Sequence, residues 1–505
     1  MHTDLTQTKR FDQVLLRHEL DVARLRPHWW RPKVRILVVT DGSGSFDETE
    51  SFGLGMVIAE LRNDPWWWVR FEVVTAHRSS GAVADHTSFR FDTPPVPLAG
   101  FDQIWLFGVL RAPAMPPAEV AALRSFMDGG GGVFATGDHE DLGAALSGDL
   151  PRINAMRRWR SGGPAGSPPP QSGPNRHDTT RVGDTAGYQF DDQSDNTPQR
   201  ILPTRYYDPF RFSPFLQRWR PHPVLCGRNG LLDVLPDHMH EGECVAPTAS
   251  AVAADPALWP GGVRPEVIAR ARVEEHTNTD GHGFVAGRTF GVLSAYDGHL
   301  AGVGRIVTDA TWHHWFNINL IGFDRSSAHY DKIRNYFWNV ALWLAPEPKQ
   351  DELFHASVYG LLWLQPFNEL LVERRGPQLA LGFSGVDALN RRASRCIVND
   401  WVLAKLPALM RKELFRRPLP EPDPLPFSAG LETVREQVVG AILASLREQF
   451  DPFDPPAGPP DKDLVAKLVS RGVSRALDAV LETEKHGLAQ CRSTLELLER
   501  SCQQR

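Results

Sequence analysis

Four short runs of apolar residues recur in the first 137 positions and constrain the fold more than any other feature of the chain. The first, residues 34–40 (VRILVVT), stops at Asp41-Gly42; the others are 71–76 (FEVVTA), 102–108 (DQIWLFG) and 133–137 (VFATG). Runs this short and this continuously apolar predict strands buried on both faces, as in a parallel sheet. Residues 52–61 between them have helical spacing. Pro116-Pro117 open a second helix through Met127, because proline suits the first helical turn, and Gly129 to Gly132 stop it. Strand and helix alternating in this way predict an α/β fold: an open, mostly parallel sheet covered on both faces.

The pattern then breaks. Residues 151–230 are rich in Pro, Gly, Ser, Asp and Arg, and 161–175 (SGGPAGSPPPQSGPN) read as structureless. Strand-like runs resume at 230–236, 288–296 and 304–311. A helix near 327–345 closes the domain, with Ile333, Phe337, Val340, Ala341 and Leu344 on one face. Beyond 346–351 (PEPKQD) four amphipathic segments follow, near 352–374, 385–416, 428–450 and 462–502, which predict an all-α helical bundle. The expected division is a helical lead-in over 1–32, an α/β domain over 33–345 with an irregular insertion at 151–230, and a bundle over 351–505. Two or three domains is also what 505 residues allow.

Charge narrows the partners. The net charge of −6 offers no basic field for nucleic acid or an anionic membrane. No apolar run reaches the ~18 residues of a bilayer span. The first residues (MHTDLTQTKRFDQ) lack the apolar centre of a signal peptide. Five cysteines without a CxxC pair suit free thiols in a reducing cytoplasm, with Cys226 and Cys244 as small buried hydrophobes. The loop 41–46 (DGSGSF) matches neither GxGxxG nor GxxxxGK[ST], so no nucleotide cofactor is expected.

Sixteen of the 18 histidines precede residue 350, which places any chemistry in the α/β part. Three clusters follow predicted strands, where open α/β sheets bind ligands. Residues 136–143 (TGDHEDLG) offer Asp138, His139, Glu140 and Asp141, although one acid there would also cap a helix. Residues 235–244 (LPDHMHEGEC) place His238 and His240 on one face of an extended segment, where both can ligate one ion, with Glu241 and Glu243 beside them. Residues 308–320 (TDATWHHWFNINL) offer Asp309, His313 and His314 among aromatic side chains that could equally well bury a histidine.

Three stretches, VRILVVTDG (34–42), AEVAALRSFMDGGGGVFATGDH (118–139) and GRIVTDATWHH (304–314) with FWNVALWLA (337–345), together resemble the class I glutamine amidotransferase-like fold, within it the trehalose-utilisation (ThuA-like) branch. The resemblance covers roughly residues 33–345 apart from much of 151–230. It implies a flavodoxin-like or amidotransferase-like sheet, a link to carbohydrate metabolism, in some members a bound metal, and site positions at His139 and His313 or His314. True amidotransferases carry a nucleophilic cysteine where this chain has Gly137-Asp138-His139, so cysteine-dependent glutamine hydrolysis is not expected.

Two functions compete on these residues. One is a metal-assisted hydrolase for a small polar, carbohydrate-like substrate. His139, His238, His240 and one of His313 and His314 would bind zinc or a similar ion, with Glu241 or Glu243 as general base on the metal-bound water and Asp138 as a further catalytic carboxylate. The other is a non-catalytic scaffold whose residues 351–505 recruit a protein partner or a second copy. A metal-free acid–base pair of Asp138 and His139 is a third form of the chemistry.

Overall fold

The computed structural model describes residues 30–62, 68–160, 198–208, 210, 219–228, 230–236, 241–273, 275–278, 283–363, 378–407, 429–451 and 458–503. They fall into two compact units, one of 33–205 and 221–350, the other of 1–32, 206–220 and 351–505. The expected α/β domain is thus interrupted: residues 206–220, read from sequence as part of its insertion, belong to the helical unit. The stretch 161–175 lies outside the described residues.

The first unit is built on one nine-stranded sheet. Its strands are β1 (Lys33–Thr40), β2 (Arg70–His77), β3 (Gln103–Phe107), β4 (Gly132–Thr136), β6 (Gln199–Pro203), β7 (Val234–Leu235), β9 (Glu266–Val273), β10 (Arg288–Tyr296) and β11 (Ile306–Asp309). Two further short strands, β5 (Arg157–Arg158) and β8 (Glu243–Cys244), pair with each other outside it. The spatial order is β7-β6-β9-β10-β11-β4-β3-β1-β2. The block β11-β4-β3-β1-β2 is parallel throughout, and β10, β9, β6 and β7 extend it antiparallel. The four apolar runs are the parallel strands β1 to β4; β3 and β4 are buried at every residue. The expected strand at 230–236 is two short pieces, Gly230–Leu231 and Val234–Leu235, parted by Leu232 and Asp233.

The helices α1 (Gly55–Arg62), α2 (Pro117–Asp128) and α3 (Ala328–Trp343) belong to this unit. Proline occupies the first turn of α2, where its missing N–H costs nothing, and Gly130 leaves the helix at φ 96°. Ser327 caps α3 by accepting from Tyr330 N–H at 3.1 Å. The face predicted for α3 is buried, and Tyr336 and Trp338 join it. Trp315 packs against Phe134, Trp105, Phe107, Tyr336 and Phe337 with ring centroids 4.5 to 5.7 Å apart, fixing the end of the sheet where β4 and β11 stop.

Beyond 346 come α4 (Glu347–Leu361), α5 (Gln378–Asn390), α6 (Arg395–Lys405), α7 (Ala429–Arg447) and α8 (Lys462–Gln503), the helical unit taking them from 351. Of the expected segments, the stretches 364–374 and 408–416 lie outside the described residues, and one segment is divided. The segment read as 385–416 breaks at 391–394, because Ser394 caps a new helix by accepting from Ile397 N–H at 3.4 Å. Helix α7 packs against both α5 and α8. The backbones come close through glycine: a Cβ at Gly440 would lie 2.0 Å from Gln378 O, and one at Gly472 would lie 2.5 Å from Ile442 Cα. Among the described residues, no helix is long and apolar enough to cross a membrane.

Candidate active site

β4 and β11 are parallel neighbours with Asp309 opposite Thr136, so the turns that follow them meet. After β4 the chain reverses tightly: Asp138 N–H donates to Leu142 O at 2.9 Å, and Gly143 adopts φ 94°. A Cβ at 143 would come within 2.6 Å of Gly137 Cα, so the loop must end in glycine. Glu140, at φ 58°, ion-pairs with Arg111 at 2.6 Å and Arg160 at 2.8 Å, which holds the loop from outside. From the other side Trp312 N–H donates to Gly137 O at 2.9 Å and clasps the two turns together.

This clasp brings Asp138, His139 and His313 into one cluster. Asp138 is buried, its Oδ2 lying 3.3 Å from His139 Nδ1 and 4.0 Å from His313 Nε2. The Nδ1 of His313 lies 2.7 Å from Asn319 Oδ1, to which it donates, so its Nε2 is the nitrogen turned toward Asp138. Trp312 stacks on the His313 ring at 5.5 Å, and Phe52 meets it edge-on at 5.6 Å. The side chain of His139 is 24% exposed whereas those of Asp138 and His313 are buried, so the cluster meets solvent at His139. Asn319 lies in the run that supplies the histidines, but nothing in its spacing marks it as the residue that orients one of them.

His314 points the other way, into a buried ion group. Its Nδ1 lies 2.6 Å from Asp309 Oδ1 and its Nε2 lies 2.7 Å from Glu241 Oε1, all three residues being fully buried. Gln199 donates to Glu241 at 2.9 Å, with its amide nitrogen 2.6 Å from His314 Nε2. Trp315 and Tyr336 each donate to Asp309 Oδ2 at 2.8 Å. Burial alone would lower the His314 pKa, but the two carboxylates outweigh it and raise it to about 10. Burial also raises the Glu241 carboxyl above its ordinary range, and His314 only partly offsets this. Both imidazole nitrogens of His314 therefore face carboxylates.

Arg157 ties these groups together. Fully buried, it donates to the backbone carbonyls of Asp309 and Ala310 at 2.8 Å each and to that of Asp138. Burial pulls its pKa down, and its guanidinium lies over Trp159. Gly242 makes room for it, since a Cβ there would sit 2.3 Å from Arg157 Nη2. This residue lies in the stretch that reads as irregular insertion, so its sequence context gave no sign of the role.

Of the remaining candidates, Glu243 on β8 faces Arg158 at 2.8 Å and lines a cleft of about 500 Å³ with Thr248, Arg270 and Thr289. Cys244 is buried, and burial raises its thiol pKa to about 12, so it supplies no thiolate near neutrality. His238 and His240 lie outside the described residues. Among the described residues, no three His, Cys, Asp or Glu side chains are arranged to hold a metal ion.

Asp41 closes the next part of the same sheet edge. It accepts from Val109 N–H at 2.6 Å and Leu110 N–H at 3.1 Å, joining the carboxyl ends of β1 and β3. Burial outweighs these bonds and raises its pKa to about 6. A raised carboxyl stabilises the fold fully below its ordinary pKa of 3.8 and loses that contribution as pH climbs through 6. Thermal unfolding measured from pH 4 to 7 should show this decline, and Asp41→Asn should flatten it; an unchanged slope in the variant would contradict the assignment.

The fold and the site together define an α/β protein with a carboxylate–imidazole cluster at the carboxyl ends of two parallel strands. No family model matches the chain, and no curated protein matches it significantly. Among solved structures it is similar to one from Parabacteroides merdae ATCC 43184, named only as ThuA-like. The identity is 13%, the match covers 62% of this chain and 90% of that one, and the TM-score is 0.29. At that level the likeness carries no inference about chemistry, and the α/β assignment rests on the sheet itself.

Proposed function

We propose that the chain is an enzyme that cleaves a small polar substrate by acid–base chemistry at Asp138, His139 and His313. The observation that carries this reading is the placement of one buried carboxylate oxygen 3.3 and 4.0 Å from imidazole nitrogens held on two different strand ends. In this reading Asp138 takes a proton from the attacking hydroxyl or water. His313, fixed through Asn319, and the partly exposed His139 move protons to the leaving group and to solvent. The buried Glu241–His314–Asp309 group and Arg157 hold the two turns in register and do not touch substrate.

A metal-assisted hydrolase is the second form of this reading, favoured by the same convergence of two imidazoles and a carboxylate. It needs further donors, for which His238 and His240 are the candidates, and the ion would supply a water of lowered pKa. Chromogenic esters, phosphoesters and glycosides assayed with the purified protein test the enzyme reading. Asp138→Asn and His313→Ala should each lose at least about 100-fold in kcat/KM with the fold intact, and full activity in both would overturn it. Elemental analysis separates the two forms. A transition metal near one equivalent that is lost in His238→Ala/His240→Ala supports the metal, whereas activity without bound metal supports acid–base catalysis alone.

A further inference from the structure

Helix α8 runs for 42 residues, about 63 Å at 1.5 Å per residue. Its first half is held in the helical unit by Val465, Leu468, Val469, Val473, Ala476 and Val480, all buried. Burial then stops. From 481 to 497 every residue is exposed except Glu484, which is partly covered. Leu481, Leu488 and Leu495 are 53%, 70% and 60% exposed. They recur every seven residues, and with Leu477, Glu484 and Cys491 they advance along the helix in alternating steps of four and three. That rhythm is a coiled-coil seam, and a helix of this length carrying one in water has little to stabilise it alone.

We propose that this half of α8 pairs with the same segment of a second copy of the chain, antiparallel, with Arg492 near the two-fold axis. The flanking charges select both the occupant and its direction. One step beyond the seam lie Lys485, Arg492 and Glu499. An antiparallel pair centred on Arg492 sets each Lys485 opposite the other copy's Glu499, twice by symmetry. Arg492 keeps a local partner in Glu496, at 3.6 Å. A parallel pair would instead face Glu484 with its own copy across the seam and offer Lys485 and Glu499 only Val480 and Thr494. A lipid surface fits poorly, because residues 481–500 carry four carboxylates against three cations rather than the basic face that anionic lipid attracts.

Sedimentation velocity of the full chain tests the pairing. Across roughly 1 to 100 μM the mass should rise from one chain to two. Leu488→Lys/Leu495→Lys should stay monomeric and lose no more helical circular dichroism than residues 481–503 contribute. Lys485→Glu should weaken dimerisation about tenfold, and Lys485→Glu/Glu499→Lys should restore it, because the swap rebuilds both pairs. A wild-type chain that is monomeric at the highest concentration overturns the proposal. So does a dimer indifferent to the leucine changes, or one that the charge swap fails to restore. The charge pair decides the matter even if the leucine variant does not fold.

Discussion

Replacing His314 with alanine should destabilise the α/β unit by about 3–5 kcal/mol, because it removes the cation between two buried carboxylates and leaves both without it. Urea unfolding read by tryptophan fluorescence measures this as a lower midpoint at an unchanged slope. The loss should depend on pH. The His314 pKa is raised from 6.5 to about 10, so its contribution is complete below 6.5 and fades as pH climbs through 10. The raised Glu241 carboxyl changes in the same sense, its contribution also shrinking as pH rises. Wild type and variant should therefore converge in alkaline solution. His139→Ala, with its partly exposed ring, should change stability by less than about 0.5 kcal/mol. Equal losses at the two neighbouring clusters would remove the distinction between a structural histidine and a reacting one.

A second large effect is expected at Gly440→Val in α7. Gly440 and Gly382 let α5 and α7 approach so closely that a Cβ at either would lie 2.0 Å or 1.7 Å from a carbonyl oxygen of the other helix. Valine must drive the pair apart, at a cost of about 3 kcal/mol or more. Gly487 in α8 is the control, since no atom lies within 4 Å of a Cβ there. Gly487→Ala should gain about 1 kcal/mol of helix propensity. Thermal unfolding followed by circular dichroism at 222 nm compares them, and two variants of equal stability would contradict the close packing.

The parallel half of the sheet was legible because β1, β3 and β4 are buried on both faces and so read as unbroken apolar runs. Of the antiparallel half, β10 was legible, and β7 lay within the run read at 230–236; β11, parallel to β4, was legible too. β9 alternates over 269–273, but its buried Ala269 and Ala271 give a faint apolar signal beside Arg270 and Arg272, and β6 is short. Asp138, His139 and His313 could be proposed from sequence because each follows a strand. That His314 turns away from them follows from adjacency on an irregular turn, which no periodicity describes. Arg157 and Gln199 serve the site across more than 100 residues of chain, and local pattern holds no trace of such partners.

The excursion of residues 206–220 has a consequence for how the chain is made. Asp208 is buried and ion-pairs with Arg395 at 2.6 Å, and Phe210 lies under the guanidinium of Arg435. Those partners leave the ribosome roughly 190 and 225 residues later. Until then Asp208 and Phe210 lack these partners, so the segment cannot complete its packing before the last third of the chain is made. A gene cut at codon 350 would preserve every strand of the sheet and still leave Asp208 and Phe210 without Arg395 and Arg435. The boundary that looks cleanest in the sequence is therefore a poor place to divide the protein.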